Sequence, residues 1–154
     1  MDTAPSTPQA RIETDVKAAL KAGDKAKLQT LRLLLTDLKN ERIRRGGEVD
    51  EAGFVALTRK AIKQREEAAT QYRGGGRDDL AGKEESEAAI LAAYLPAATD
   101  PADIRAAVLA LVDERGLSGP SAMGPIMKEM LARFGTAADG ATINRIAREV
   151  LAAL

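Results

Sequence analysis

Glu84 and Glu87 stand one helical turn apart, and a wheel drawn at 100° per residue puts both in line with Leu80, Leu91 and Tyr94, on the side that should be buried. The same construction places Arg65 in the middle of an apolar arc, between Ala61 and Tyr72. One reading of two inward carboxylates is a functional acid site; the other is an ion pair that fixes helix register. An uncompensated buried charge costs several kcal/mol, so Arg65 is expected to pair with Glu84 or Glu87 across the interface of two helices. The chain has no Cys and no His, which removes disulfides, thiolate nucleophiles, imidazole acid/base catalysis, Ser-His-Asp triads and the usual zinc sites. Ser118 and Ser121 read as capping residues near a turn, with no Lys placed to activate either one. No metal, cofactor or catalytic residue is expected.

The remaining chemistry is that of cations. Lys25, Arg32 and Lys39 recur every seven residues along the edge of a leucine arc, and Arg42, Arg44 and Arg45 follow them. With Arg59, Lys60 and Lys63 they could form a surface for phosphates, joined by Lys128, Arg133, Arg145 and Arg148 near the C-terminus. Stacking aromatics are missing from this set, and Glu41, Glu66 and Glu67 are close enough to neutralise part of it. The chain is neutral overall, yet the stretch from Arg11 to Arg73 holds 15 basic against 10 acidic residues. The stretch from Gly74 to Asp100 holds 2 against 6. Both readings, a phosphate surface and a set of salt-bridged solvated side chains, stay open at this point.

These side chains must be carried by helices. With 3% aromatic residues the core has to be built from Leu, Ile, Val, Ala and Met. Ile12, Val16, Ala19 and Leu20 mark a first helix stopped by Gly23, and Asp24 caps a second carrying Leu28, Leu31, Leu34, Leu35 and Leu38 up to Gly46-Gly47. Asp50 caps a third, with Phe54, Leu57, Ala61, Ala68 and Tyr72. The run Gly74-Gly75-Gly76 closes it as a turn, since neither a strand nor a Gly-Lys-Ser/Thr accompanies those glycines. Asp78 and Asp79 open a fourth, with Leu80, Ile90, Leu91, Tyr94 and Leu95, which Pro96 ends. Pro96 to Pro101 reads as a linker. Asp100-Pro101 then opens a fifth helix through Ile104, Val108, Leu111 and Val112 to Gly116. Met123, Ile126, Met127, Met130 and Leu131 stripe a sixth, whose start Gly124-Pro125 could delay. Asp139 or Thr142 starts the last, with Ile143, Ile146, Val150 and Leu151 inward. The expectation is an all-α chain: an N-terminal bundle of about four helices over 9–96, then a three-helix tail over 97–154. Met1 to Pro8 is expected to fray. It has no basic-then-apolar signal pattern, and no apolar run approaches the roughly 20 residues of a membrane span, so the cytoplasm is the expected location.

Leu31-Arg32-Leu33-Leu34-Leu35-Thr36-Asp37-Leu38-Lys39-Asn40 resembles the second-helix signature of the GatB/YqeY family, and Lys63-Gln64-Arg65-Glu66 its third-helix signature. Arg77-Asp78-Asp79-Leu80, Lys83-Glu84-Glu85 and Tyr94-Leu95-Pro96 continue the pattern in order. Met123-Gly124 with Ile126-Met127-Lys128, and Ala138-Asp139-Gly140 with Asn144, are similar to its last two helices; Pro125 departs from it. The resemblance covers the chain from about Ile12 onward. It implies a protein similar to the tail of the B subunit of glutamine-dependent aspartyl/glutamyl-tRNA amidotransferase, an RNA-contacting arm that lacks both catalytic parts of that enzyme. A carbon-nitrogen ligase activity with glutamine as amido donor is the family-level association.

On that basis the chain is expected to have no activity alone and to bind tRNA, or a tRNA-enzyme assembly, through the basic residues named above. The rival expectation is a protein-interaction module that docks a partner enzyme through its helical tail, along a Met-rich groove. An amidotransferase in its own right is the weakest reading, because glutamine hydrolysis normally uses a Cys or an activated Ser.

Overall fold

The computed structural model describes residues 7–154, and every regular element among them is helical: seven α-helices and two short 3-10 turns. Residues 1–6, most of the segment expected to fray, lie outside the described residues. Thr7 and Pro8 are ordered, contrary to that expectation. The Thr7 hydroxyl accepts from the Ala10 N–H at 3.2 Å, and Pro8, whose missing N–H costs nothing in a first turn, opens α1 (Pro8–Ala22). Packing divides the chain into two compact units, one ending at Leu95 and one spanning Pro96–Leu154.

In the first unit α1 ends at Gly23, whose φ of 72° lets its N–H reach back to the carbonyls of Ala19 and Leu20. Asp24 then accepts from the Lys27 N–H and opens α2 (Lys25–Arg45). Leu31, Leu34 and Leu38 are buried on one side of α2, each contributing about 1.5–3 kcal/mol by leaving water. Asp50 caps α3 (Glu51–Gly74) through the Gly53 N–H, and α4 (Asp78–Ala92) runs back along α3 in the most extensive helix pairing of the chain. Ile12, Phe54, Ala61 and Leu91 complete the core with the α2 leucines. Thr30 and Thr58 are wholly buried, and each hydroxyl donates to the carbonyl one turn back, so neither is left unsatisfied.

The structure corrects four positions here. Leu20 is 60% exposed, because α1 is covered along Ile12 and Ala19 and Leu20 falls off that arc. Tyr72 is exposed too, since the inward face of α3 runs through Ala69 rather than Ala68 and Tyr72. Tyr94 and Leu95 lie beyond the end of α4 at Ala92, because the residues ahead of Pro96 are biased away from helical backbone.

The second unit holds α5 (Pro101–Arg115), α6 (Met123–Phe134) and α7 (Gly140–Ala152), with 3-10 turns over Pro120–Ala122 and Gly135–Ala137. Asp100 caps α5 through the Ala102 N–H and Asp139 caps α7 through the Ala141 N–H. Gly124-Pro125 does not delay α6: the 3-10 turn leads into it, and Pro125 sits in a first turn where the backbone N–H has no helical partner to lose. Neither Ser118 nor Ser121 caps anything, the chain entering α6 through Ala122 with no side-chain cap. Ile104, Val108, Ile126, Met130, Ile143, Ile146 and Val150 form the core, with Met123 and Met127 packed against it. Leu131, expected inward, is 44% exposed.

Candidate functional site

Arg65 and Glu87 meet across the α3/α4 interface with side chains only 13% and 14% exposed. The Arg65 Nε donates to Glu87 Oε2 at 3.2 Å, and its Nη1 donates to the Ala61 carbonyl at 3.0 Å. Glu84 is half-buried and makes no ion pair among the described residues. One of the two expected carboxylates therefore holds the arginine, and the other stands apart from it.

The arginines at the end of α2 are engaged locally. Arg44 and Arg45 both donate to the Glu41 carboxylate, Arg45 through Nε at 2.8 Å, and these hydrogen bonds hold the Glu41 carboxyl at about 2, well below its ordinary 4.5. Arg45 also lies 4.0 Å from Asp50, the cap of α3. Arg42 donates to Gln9 on α1 at 2.6 Å and pairs with Glu48 at 2.6 Å. The sequence marked Glu41 as a neutraliser; it gave no sign of Gln9, Glu48 or Asp50 in that role, because those contacts depend on how α1 and α3 approach the end of α2. Arg59 is half-buried and also engaged.

Lys25, Arg32 and Lys39 are different. All three are exposed on α2, and none makes an ion pair or side-chain hydrogen bond among the described residues. A groove of about 410 Å³ runs beside the first two, lined by Lys25, Leu28, Gln29, Arg32, Leu33 and Thr36. A second, of about 610 Å³, is lined by Lys39, Arg42, Ile43, Gly46, Gly47 and Glu48. Leu33 is 46% exposed and Ile43 79% exposed. Sequence reasoning missed both residues, although a wheel centred on Gln29 puts Leu33, Thr36, Asn40 and Ile43 within 40° of one line, opposite Leu31, Leu34 and Leu38. Lys60 and Lys63 are exposed on α3 and make no ion pair among the described residues. Lys60 lines a smaller polar groove between α2 and α3 with Asp37, Asn40, Glu41, Arg44 and Gln64.

In the second unit Arg145 pairs with Glu149 at 3.1 Å, and Glu149 also takes Arg105; both hydrogen bonds lower its carboxyl pKa. The Arg133 guanidinium lies 5.7 Å from the centre of the Phe134 ring. Lys128 and Arg148 are exposed and make no ion pair among the described residues. The methionine stripe belongs to the core, as its helical spacing suggests, Met130 being 1% exposed, so it offers no Met-rich groove to the rival docking reading.

A further polar cluster was missed on α1. The Tyr94 hydroxyl donates to Asp15, and the Tyr94 ring meets Phe54 edge-on at 6.1 Å. Burial first, and then the Asp15 carboxylate, push the Tyr94 hydroxyl well above its ordinary value of 10.0. Arg11 lies over the Phe54 ring at 5.6 Å and pairs with Glu51 at 2.6 Å. Asp15 is 60° from Ile12 on a helix wheel, which was the one available signal.

The chain matches the family described as Yqey-like protein over residues 9–151. Three yeast relatives bear the name Altered inheritance of mitochondria protein 41, mitochondrial. That of Lachancea thermotolerans is 36% identical over 116 residues, covering 73% of this chain and 62% of the relative. That of Vanderwaltozyma polyspora is 35% identical over 54% of this chain and 46% of its own length, and that of Eremothecium gossypii 35% identical over 57% and 49%. The matched segment thus spans between about half and three fifths of these relatives. Their name speaks of mitochondria and of neither tRNA nor amidation, which overturns the expectation of tRNA binding or amidotransferase association. The expected cytoplasmic location is corrected on the same ground, since the relatives are mitochondrial proteins by name. The match over nearly the whole chain places it by sequence: it belongs to the YqeY-like family.

Proposed function

We propose that this chain is a binding protein that docks a protein partner on the outward face of α2 and serves the process its relatives are named for, mitochondrial inheritance. The observation that carries the reading is the exposure of Leu33 and Ile43 on one stripe of α2, beside three cations that have no partner among the described residues. Single exposed leucines are ordinary on a protein surface; two large apolar side chains sharing a stripe with grooves beside them are a place to exclude water against another molecule. The α2 stripe replaces the tail as the docking site, because the tail's methionines are already packed. In the same reading the chain consists of an N-terminal four-helix bundle over 9–96 and a three-helix tail over 97–154, each folding by itself.

The test is site-specific photocrosslinking in living cells from a probe at Leu33 or Thr36, with a control probe at Arg148. A single protein captured from the α2 positions, not from position 148, and lost in the double variant Leu33→Ser/Ile43→Ser supports the reading. Capture of no protein, or of the same proteins from all three positions, refutes it.

A further inference from the structure

The carboxylates of the first unit are distributed unevenly over its cations. Arg11, Arg42, Arg44, Arg45, Arg65, Arg73 and Arg77 each hold a Glu or Asp. Among the described residues Lys25, Arg32 and Lys39 hold none, as is true of the unit's other lysines, and α2 could not supply one to this row. The positions three and four residues away from each are occupied by Lys21, Ala22, Leu28, Gln29, Leu35, Thr36, Arg42 and Ile43. The row is therefore left with its charge outward by the sequence of its own helix.

Its geometry restricts what could neutralise it. Seven residues along a helix advance about 10.5 Å and return within about 20° of the same line, so the three cations form a nearly straight row roughly 21 Å long. A second helix lying alongside repeats its own side chains on the same seven-residue period and can meet all three in register. The grooves beside it contain no aromatic side chain to stack on a nucleic-acid base. A lipid surface would require a continuous apolar face, whereas Thr36 and Asn40 stand between Leu33 and Ile43. A second copy of this chain offers no matching acid row on its own α2, where Asp37 is the one exposed carboxylate without an ion pair among the described residues.

We propose that the outward face of α2 receives an amphipathic helix of the partner, which presents carboxylates at seven-residue intervals to Lys25, Arg32 and Lys39 and apolar side chains to Leu28, Leu33 and Ile43. This rests on the docking reading above and names the chemistry of the occupant. Exposed ion pairs contribute about 0.5 kcal/mol each, so loss of three together corresponds to roughly tenfold in affinity.

The probe is a labelled helical peptide of four heptads with Leu along one face and Glu at one flanking position of each heptad. A peptide of the same composition with the Glu residues placed out of register serves as control, and binding to the full chain is followed by fluorescence anisotropy. The expected result is that the in-register peptide binds at least tenfold tighter than the scrambled one. That preference should be lost in Lys25→Glu/Arg32→Glu/Lys39→Glu with helicity and melting unchanged, and be restored to the same variant by a peptide carrying Lys in place of Glu. Equal binding of the two peptides, no binding of either, or binding of an RNA hairpin or anionic vesicles in preference to both overturns the proposal. If the peptide fails while the Leu33 crosslink still captures a protein, docking on α2 stands and the acidic helix falls; if both fail, both readings fall.

Discussion

The α3/α4 interface offers the sharpest test of how this fold handles charge. Arg65 and Glu87 lie 3.2 Å apart with about an eighth of each side chain exposed. At an effective dielectric constant of 20 the attraction at that distance is about 5 kcal/mol, most of which is offset by taking both ions out of water. The pair is therefore nearly neutral as a whole, while each member is costly without the other. Glu87→Ala leaves the guanidinium with the Ala61 carbonyl as its one remaining partner, and fully buried pairs broken in this way lose about 3–5 kcal/mol. With partial water access the expected loss is about 3 kcal/mol. Arg65→Met strands Glu87 and should cost a similar amount, whereas Arg65→Met/Glu87→Leu should return to within about 1 kcal/mol of the parent. Both tyrosines of the chain, Tyr72 and Tyr94, lie in the first unit, so urea unfolding followed by tyrosine fluorescence is read from probes within that unit. A Glu87→Ala variant within 0.5 kcal/mol of the parent, or a double variant as unstable as the sum of the singles, refutes the reasoning.

Three other outcomes follow from local geometry. A Cβ on Gly53 would lie 2.7 Å from Arg45 Nη1 and 3.0 Å from the capping Asp50 Oδ1, so Gly53→Ala should be less unfavourable in an Arg45→Ala background than in the parent, where both contacts remain, by urea unfolding. Asp139→Ala removes the cap of α7 and should cost about 1 kcal/mol, read as faster amide exchange from Ile143 to Val150 with the tyrosine-detected transition unmoved. Because the folded Glu41 carboxyl sits near 2, below its ordinary 4.5, its contribution is complete above about pH 4.5 and disappears as the pH falls toward 2. The stability difference between the parent and Glu41→Gln should shrink over that window, and a difference that stays constant or grows on acidification would contradict the Arg44–Glu41–Arg45 arrangement.

The helices were legible because their signals are local. Asp24, Asp50, Asp100 and Asp139 each cap the helix that follows, and Gly23, Gly46 and Gly116 end helices with left-handed backbone. Faces were less legible where the apolar arc was wide. Ala68 and Ala69 cannot be told apart by hydrophobicity, so the inward side of α3, and with it Tyr72, was misplaced by one position. The charged residues were least legible. Whether an arginine is free depends on what another element brings to it: Gln9 and Glu48 reach Arg42, and Asp50 reaches Arg45, only after α1 and α3 have packed against the end of α2. Glu84 and Glu87 were equivalent on a wheel, and the approach of α3 selected one of them.

That selectivity bears on where binding can occur. Arginine's fork accommodates two acceptors at once, and the first unit uses it that way at Arg65, with the Glu87 carboxylate and the Ala61 carbonyl, and at Arg45 and Arg73, each between two carboxylates. Each such pairing joins two elements or closes a helix end, so substituting those arginines should disturb folding before it disturbs recognition. Lys25, Arg32 and Lys39 join nothing, and their removal leaves every described hydrogen bond and ion pair in place. Cations that can be reversed without touching the fold, beside apolar side chains that the fold leaves in water, are where the proposed docking can be tested without disturbing folding.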